Sequence, residues 1–247
     1  MTNLKGVFWD IDGTIADTEI QGHRIAFNKS FKASNIDWIW DESSYKNLLS
    51  IGGGKNRIQA YANSNNEQLS SEDVDYIHKL KTQFYHEILL SGKIKLRIGV
   101  RRLVEELQQN NIKQWIVTTS SLKAAQPLLL NHFKGDSFPF DGLISSNDVH
   151  NVKPHPQAYL IALKRSKLNS NNVISIEDSL IGLRSATSAN IRCLVTLTKW
   201  SNYRMKDLES SIAIVDSLGD LGNSTNIRKG PQCSRGLVDY DYLSQLL

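Results

Sequence analysis

The sequence has little cysteine, little proline and no long hydrophobic run. Its 247 residues include two cysteines, which is too few for the disulfide framework of a small secreted domain and favours a reducing compartment. Five prolines and fifteen glycines are too few for a collagen-like or low-complexity chain. No apolar run approaches the roughly 20 residues of a membrane-spanning helix, and the N-terminal residues lack the pattern of a signal peptide. We therefore expect a cytoplasmic protein that has no membrane partner.

Charge of one sign is not concentrated in any segment. The chain has 29 basic and 25 acidic residues, for a formal net charge of +4. Proteins that bind nucleic acids gather their basic residues into a patch or stripe, whereas here lysine and arginine are interspersed with acidic residues. We therefore expect no nucleic-acid partner, although a mildly basic cleft can attract an anionic substrate. With 40% apolar residues, the composition is that of a folded domain and not of a disordered chain.

Helix-like and strand-like segments alternate from about residue 95 onward. Helical patterns cover residues 99–110, 122–133, 156–168, 179–189 and, more weakly, 240–247. Short apolar runs typical of strands cover residues 115–117, 140–144, 173–176 and 192–196, with 212–215 expected to be the last strand. Residues 4–9 supply an additional first strand. This alternation predicts an α/β domain built on a mainly parallel sheet.

The segment between the first strand and residue 95 has a different pattern. Its helical stretches cover residues 20–31, 45–49, 56–62 and 71–90, and no strand pattern is present. We predict an α/β core domain formed by residues 1–16 and 95–247, with residues 17–94 inserted as a helical domain.

Two carboxylates follow the first apolar strand. Asp10 and Asp12 are two residues apart, and Gly13 directly after them allows the backbone to bend. In an open α/β sheet, ligands bind beyond the carboxyl ends of the strands, which is where both aspartates would emerge. The simpler interpretation is a polar turn at the end of a strand.

Three later segments place further functional groups at the same predicted edge. The strand at 115–117 is followed by Thr118 and Thr119, whose hydroxyls are suited to phosphoryl oxygens. Lys153 precedes a predicted helix, and Glu177 and Asp178 end another strand. Taken singly, a threonine can cap a helix and a lysine can be solvated. Together they indicate a phosphoryl site beside a hard divalent cation such as magnesium (Mg2+), which prefers oxygen ligands.

These residues resemble the four motifs of the haloacid dehalogenase (HAD) superfamily. The matching positions are Asp10-x-Asp12-Gly13-Thr14, Thr118, Lys153 and Glu177-Asp178. The resemblance implies a Rossmann-like, doubly wound parallel sheet as the α/β core, and a helical cap domain for the inserted residues.

The same resemblance implies a chemical role for each motif residue. Asp10 is the expected nucleophile, which forms an aspartyl-phosphate intermediate, and Asp12 is the expected general acid and base. Thr118 and Lys153 are expected to stabilise charge on the transferring oxygens. The expected magnesium ligands are Asp10, Glu177 and Asp178, with the backbone carbonyl of Asp12.

A glycine run in the inserted segment is followed by positive charge. Gly52, Gly53 and Gly54 precede Lys55 and Arg57 at the start of a predicted helix. Free backbone N–H groups at such a start can bind an anion, and the basic side chains would add to that attraction. The alternative is a glycine hinge flanked by solvated basic residues.

Several strings in the inserted segment resemble the CbbY group of the HAD superfamily. They are E-x-x-x-H-R from Glu19, W-x-W from Trp38, Y-x-x-L-L from Tyr45, and G-G-G-K-x-R. The resemblance implies hydrolysis of the sugar bisphosphate xylulose-1,5-bisphosphate. The residues expected to bind the substrate are Glu19, His23, Arg24, Tyr45, Gly54, Lys55, Arg57, Lys81 and, in the core, Thr119.

The core motifs leave alternative functions open. A phosphosugar mutase of the β-phosphoglucomutase kind would use Asp10 and Asp12 as well, and phosphoglycolate phosphatase is a second enzymatic alternative. A catalytically silent binding protein with the same fold is the non-enzymatic alternative, which the intact aspartates disfavour. The expected partner is a small phosphorylated sugar, and we expect a monomer.

Overall fold

The chain forms two compact units. The computed structural model describes residues 3–51, 53–134, 138–201 and 203–247. One unit comprises the residues up to Asp17 together with Leu96–Leu247, and the other comprises Thr18–Lys95. We call them the α/β unit and the helical unit. Within the described residues, no helix combines the length and the apolar character needed to cross a membrane.

Every regular element among the described residues of the helical unit is a helix. A π-helical turn, Glu19–Arg24, is followed by α1 (Ile25–Ala33), α2 (Glu42–Leu48), α3 (Gly54–Ser64) and α4 (Ser71–Leu90). Helix α4 begins with a capping box, because Ser70 and Asp73 bind each other's backbone N–H groups.

Aromatic side chains form the core of the helical unit. Trp40 is completely buried, and its ring centroid lies 4.7 Å from that of Phe27, 4.8 Å from Phe31 and 5.4 Å from Tyr61. Such close, tilted ring pairs stabilise a core beyond their buried area alone. The W-x-W string therefore contributes to the packing of this unit.

The α/β unit contains one seven-stranded sheet. Its strands are β1 (Gly6–Trp9), β2 (Lys113–Val117), β3 (Gly142–Ile144), β4 (Val173–Glu177), β5 (Arg192–Thr196), β6 (Ala213–Val215) and β7 (Ile227–Lys229). The order across the sheet is β3-β2-β1-β4-β5-β6-β7. All neighbours from β3 to β6 are parallel. The predicted α/β fold with a doubly wound parallel sheet is confirmed.

The expectation that residues 212–215 form the last strand was wrong. Strand β7 follows and pairs antiparallel with β6. Its residues Ile227, Arg228 and Lys229 lack the apolar run that marks the other strands, because an edge strand is not buried on both faces. Its pairing with β6 is a long-range contact that has no local sequence signal.

Among the described residues, five α-helices accompany the sheet. They are α5 (Val100–Gln109), α6 (Leu122–His132), α7 (Gln157–Ser166), α8 (Leu180–Ser188) and α9 (Tyr240–Gln245). Helix α5 shows why these segments are helical. Its residues Val100, Leu103, Val104 and Leu107 are fully buried and recur at the spacing of one helical face.

Strand β1 occupies the position that determines where a site can form. It lies between β2 and β4, so Trp9 is paired with Ile116 on one side and with Ile176 on the other. After β1, the strands β2 and β3 are added towards one edge of the sheet, and β4 is then added next to β1 in the direction of the other edge. The point where the strand order reverses is called a switch point. Proteins with α/β sheets bind their ligands there, beyond the carboxyl ends of the strands.

Candidate active site

A buried lysine joins two of the predicted acidic residues. The Nζ atom of Lys153 lies 2.8 Å from Oδ1 of Asp10 and 2.7 Å from Oε1 of Glu177, and it donates to the carbonyl oxygen of Val117 at 2.7 Å. All three N–H bonds of the ammonium therefore have an acceptor, which fixes its orientation. The Asp10 N–H donates to the Ile176 carbonyl at 3.1 Å and so holds Asp10 at the end of the sheet.

Three carboxylates at this edge can share one cation. Asp10, Glu177 and Asp178 each offer an oxygen, and these atoms lie within 4.8 Å of one another. Hard divalent cations prefer such all-oxygen donor sets, and magnesium needs few protein carboxylates because it keeps several waters. The donor set therefore fits the predicted metal.

The electrostatics of these carboxylates favour a bound cation. Burial raises the pKa of Asp10 to about 7; the Lys153 ammonium opposes the shift, and the charges of Glu177 and Asp12 add to it. Burial, together with the nearby Asp10 and Glu177, also raises the pKa of Asp178 well above its usual value. A divalent cation would favour the ionised form of both groups.

The lysine itself stays protonated. Its burial favours the neutral amine, but the carboxylates of Asp10 and Glu177 outweigh this effect and raise the pKa of Lys153 above its ordinary value. Tyr159 also donates its hydroxyl hydrogen to Oε1 of Glu177. Sequence reasoning missed Tyr159, because a buried aromatic residue on α7 is indistinguishable from an ordinary core residue.

Asp12 lies in the turn that follows β1. Gly13 adopts a φ of 81°, so the backbone bends there as the sequence predicts. A Cβ atom at this glycine would collide with the carboxyl group of Asp178, so the turn requires the absence of a side chain. The Oδ2 atom of Asp12 accepts a hydrogen bond from Oγ of Ser120 at 2.5 Å.

The hydroxyl residues after β2 differ in their surroundings. Thr118 is buried, its N–H donates to the Ile144 carbonyl at 2.9 Å, and its Oγ1 accepts from the Ser120 N–H at 3.1 Å. Thr119 is exposed. Ser120, which sequence reasoning did not single out, is the residue that contacts Asp12. The Thr-Thr-Ser-Ser run was a visible signal for it.

In the helical unit, three of the predicted substrate-binding residues are in contact. The Tyr45 hydroxyl donates to Oε2 of Glu19 at 2.6 Å, and Nη1 of Arg57 lies 3.4 Å from the Tyr45 oxygen. The Nε atom of Arg57 also donates to the Ile51 carbonyl at 2.9 Å. Burial and the Glu19 charge raise the pKa of Tyr45, so its hydroxyl remains a donor.

His23 and Lys81 form a second cluster in this unit. The Lys81 Nζ lies 2.9 Å from Nδ1 of His23 and about 5 Å from the ring centroids of Phe27 and Tyr85. An ammonium group only donates, so Nδ1 accepts and the neutral ring carries its proton on Nε2. Burial and the charges of Lys81, Arg57 and His78 lower the pKa of His23 well below its usual value.

The remaining predicted residues of the helical unit have other partners. Lys55 forms an ion pair with Asp75 at 2.7 Å, and both side chains are more than half exposed. Arg24 donates to the Trp40 carbonyl at 3.3 Å. Gly54 begins α3, and Gly52 lies outside the described residues.

Comparisons with known proteins agree with this geometry. The family model described as haloacid dehalogenase-like hydrolase matches residues 7–196. The chain is 32% identical over 220 residues to Protein CbbY of Cereibacter sphaeroides, across 89% of this chain and 94% of the relative. It is 33% identical over 223 residues to the plasmid Protein CbbY of Cupriavidus necator, across 88% and 87%.

A solved structure is similar over the same extent. It is a mutant of CbbY from Rhodobacter sphaeroides in complex with xylulose-1,5-bisphosphate, which superposes with a TM-score of 0.74 at 30% identity. The similarity covers 89% of this chain and 96% of that one. The family match includes all four motif positions, and the predicted resemblance to HAD enzymes of the CbbY group is confirmed. The chain belongs to the haloacid dehalogenase-like hydrolase family, as an enzyme of phosphatase type.

Proposed function

We propose that this protein is a magnesium-dependent phosphatase that hydrolyses a sugar bisphosphate, with xylulose-1,5-bisphosphate as the preferred substrate. The observation that carries the reaction is the contact of the Lys153 ammonium with Asp10 and Glu177, beside Asp178, at the ends of adjacent strands. This arrangement combines a carboxylate nucleophile with positive charge for a phosphate dianion. The substrate is suggested by the ligand bound to the related CbbY structure.

In the first step, the Asp10 carboxylate attacks the phosphorus atom while the bond to the leaving oxygen breaks. Lys153 and Thr118 stabilise the charge on the transferring oxygens. Asp12, oriented by Ser120, gives its proton to the leaving alcohol. The product of this step is an aspartyl phosphate on Asp10.

In the second step, water hydrolyses the aspartyl phosphate. Asp12 takes a proton from the attacking water, the bond between phosphorus and the Asp10 oxygen breaks, and inorganic phosphate leaves. Splitting the displacement into two steps makes each easier than direct attack by water.

The carboxylates of Asp10, Glu177 and Asp178 would hold the magnesium ion, together with the backbone carbonyl of Asp12. When bound, magnesium supplies positive charge that reduces the repulsion between these carboxylates and the phosphate. Asp10 has to be ionised to attack, and because its pKa without a cation is about 7, the positive charge would increase the ionised fraction near neutral pH.

Magnesium is expected to raise the melting temperature more at about pH 8 than at about pH 5.5. The pKa of Asp10 is raised from 3.8 to about 7 in the folded protein, so folding favours the protonated carboxyl. The contribution of this proton to the free energy of unfolding is therefore complete below about pH 4 and is lost as the pH rises through 7. Magnesium competes with that proton, so its binding weakens in acid. Scanning calorimetry with and without magnesium across this range would measure the effect.

A matched variant tests the location of the ion. Asp178→Asn removes one predicted ligand and should abolish most of the magnesium-induced increase in melting temperature at the higher pH. An increase that is independent of pH, or that survives in this variant, would contradict the proposed magnesium site.

The helical unit is proposed to recognise the sugar and its second phosphate. Arg57 and Lys81 supply positive charge, while Glu19 can accept and the Nε2–H of His23 can donate a hydrogen bond. The contacts of Tyr45 with Glu19 and Arg57 support a preformed polar cluster. The second phosphate of a bisphosphate would bind to the cations Arg57 and Lys81. A small monophosphate has no group that would need them.

A substrate panel tests the proposed function. Phosphate release from xylulose-1,5-bisphosphate should exceed that from ribulose-1,5-bisphosphate, hexose phosphates and phosphoglycolate, and a chelator should abolish it. Equal activity on all four would overturn the substrate and leave the reaction class standing. Isomerised sugar phosphate without free phosphate would instead identify a mutase.

A further inference from the structure

Arg97 makes four hydrogen bonds to backbone carbonyls at the carboxyl ends of strands. Its Nη1 donates to the carbonyls of Gly13 and, at 3.1 Å, Thr196. Its Nη2 donates to the carbonyls of Leu197 at 2.6 Å and Asp216 at 3.1 Å. One side chain therefore ties together the segments that follow β1, β5 and β6.

The contact with Gly13 bears on the proposed chemistry. Gly13 directly follows Asp12, and its N–H donates to the Ala16 carbonyl at 2.8 Å. The Gly13 carbonyl lies in the peptide group between Gly13 and Thr14, so Arg97 fixes that peptide group, while the Gly13 N–H bond to Ala16 fixes the peptide group that follows Asp12. The side chain of Asp12 is held by Ser120, which donates a hydrogen bond to its carboxylate.

The backbone of Arg97 holds the same turn. Its N–H donates to the Ile15 carbonyl at 2.9 Å, and an isolated bridge joins the preceding residue, Leu96, to Ala16. The planar guanidinium carries two N–H bonds on each terminal nitrogen, which matches four separate carbonyls. A lysine at this position would have one compact charge and three donors, so it could not make the same set of contacts.

We propose that Arg97 is a positioning residue for Asp12. By holding the Gly13 carbonyl, it keeps the Asp12 carboxyl where it can protonate the leaving alcohol. This inference rests on the proposed role of Asp12 as the general acid.

The effect of replacing Arg97 should depend on the leaving group of the substrate. A sugar alcohol is a poor leaving group and needs a proton, whereas a nitrophenolate leaves without one. Arg97→Met should therefore lower kcat/KM for a sugar phosphate by about 10- to 100-fold, a part of the 10²–10⁴-fold that general acid catalysis contributes. The same variant should change kcat/KM for nitrophenyl phosphate by less than about threefold, because no general acid assists that leaving group. This parameter ends with departure of nitrophenolate, so it does not include the later hydrolysis of the aspartyl phosphate, in which Asp12 acts as the base.

Arg102 provides a matched control. Its guanidinium donates to the carbonyls of Leu218, Gly219 and Val238 at 2.9 to 3.3 Å. None of these carbonyls adjoins a motif residue. Arg102→Met should lower the melting temperature to a similar extent without changing the preference between the two substrates.

The experiment compares five proteins: wild type, Arg97→Met, Arg97→Lys, Arg102→Met and Asp12→Asn. For each protein, kcat/KM is measured with magnesium on a sugar phosphate and on nitrophenyl phosphate, and the melting temperature is recorded. If Arg97→Met is too unstable to assay, Arg97→Lys carries the test and should show the same selective loss in smaller measure.

The expected pattern is a selective loss on the sugar phosphate for Asp12→Asn and both Arg97 variants. Equal losses on both substrates for the Arg97 variants, with a selective loss for Asp12→Asn, would overturn the positioning role alone. A selective loss for Arg102→Met would also overturn it, by making the effect one of general stability. Absence of selectivity in Asp12→Asn itself would overturn the proposed acid and this inference together.

Discussion

Asp10→Asn is expected to lower kcat for phosphate release by about 10⁴-fold or more, because an amide cannot form the covalent intermediate. The two side chains have nearly the same shape, so the change removes the charge and leaves the packing intact. Folding should not suffer. Near pH 8 the variant loses a carboxylate whose pKa is about 7 and which lies beside Glu177 and Asp178, so its melting temperature without magnesium should equal or exceed that of wild type.

Asp141→Asn is the matched control for this change. Asp141 is exposed, and its carboxylate accepts a hydrogen bond from the Gln114 N–H at 2.7 Å, at the other end of β2 from Thr118. Its substitution should leave kcat near that of wild type, because the Asp141 carboxylate binds the Gln114 backbone and not a motif residue. If Asp10→Asn retained a rate within tenfold of wild type, Asp10 could not be the nucleophile.

Lys153→Met is expected to impair both activity and folding. Loss of one preorganised charge typically costs about 10²–10³ in rate. Removing one partner of a buried ion pair typically destabilises a protein by about 3–5 kcal/mol, and here it leaves Asp10 and Glu177 without their shared cation. The loss of stability should be smaller near pH 5 than near pH 8, because Asp10 takes up a proton as the pH falls through about 7. Denaturant titrations at both pH values and phosphate-release assays would measure the two effects.

Two further variants separate charge from packing. Lys113→Met makes the same chemical change at the start of β2, where the ammonium donates to the Ser166 carbonyl at 3.0 Å, and it should leave activity near that of wild type. Lys153→Met combined with Glu177→Gln should recover part of the lost stability but none of the activity. Full activity in either Lys153 variant would contradict the proposed role of this lysine.

Much of the fold could be predicted because its signals are local. The helical pattern at 71–90 and the apolar run at 192–196 match the observed bounds of α4 and β5. The helical segment is identified by the period of its apolar residues, and the buried strand is identified by its short continuous apolar run. Strand β7 could not be predicted, because its polar edge position leaves no such period.

The sequence alone determined the type of sheet and the edge at which the motif residues emerge. A helix that connects two strands returns the chain to the end of the sheet where the first strand began, which favours parallel strands, and parallel strands end at one common edge. Asp10, Thr118 and Asp178 follow strands of that kind, so the sequence alone places them at one edge of the sheet. The bend after Asp12 could be predicted from Gly13 itself.

Only the tertiary structure decided which side chains meet. The contact of Ser120 with Asp12 joins residues 108 positions apart, and that of Lys153 with Asp10 joins residues 143 apart. The exposed pairing of Lys55 with Asp75 and the four carbonyls bound by Arg97 are likewise contacts that sequence spacing does not encode. The physical reason is that hydrogen bonds and ion pairs act over a few ångströms in space, whereas periodicity reports only whether a residue is buried.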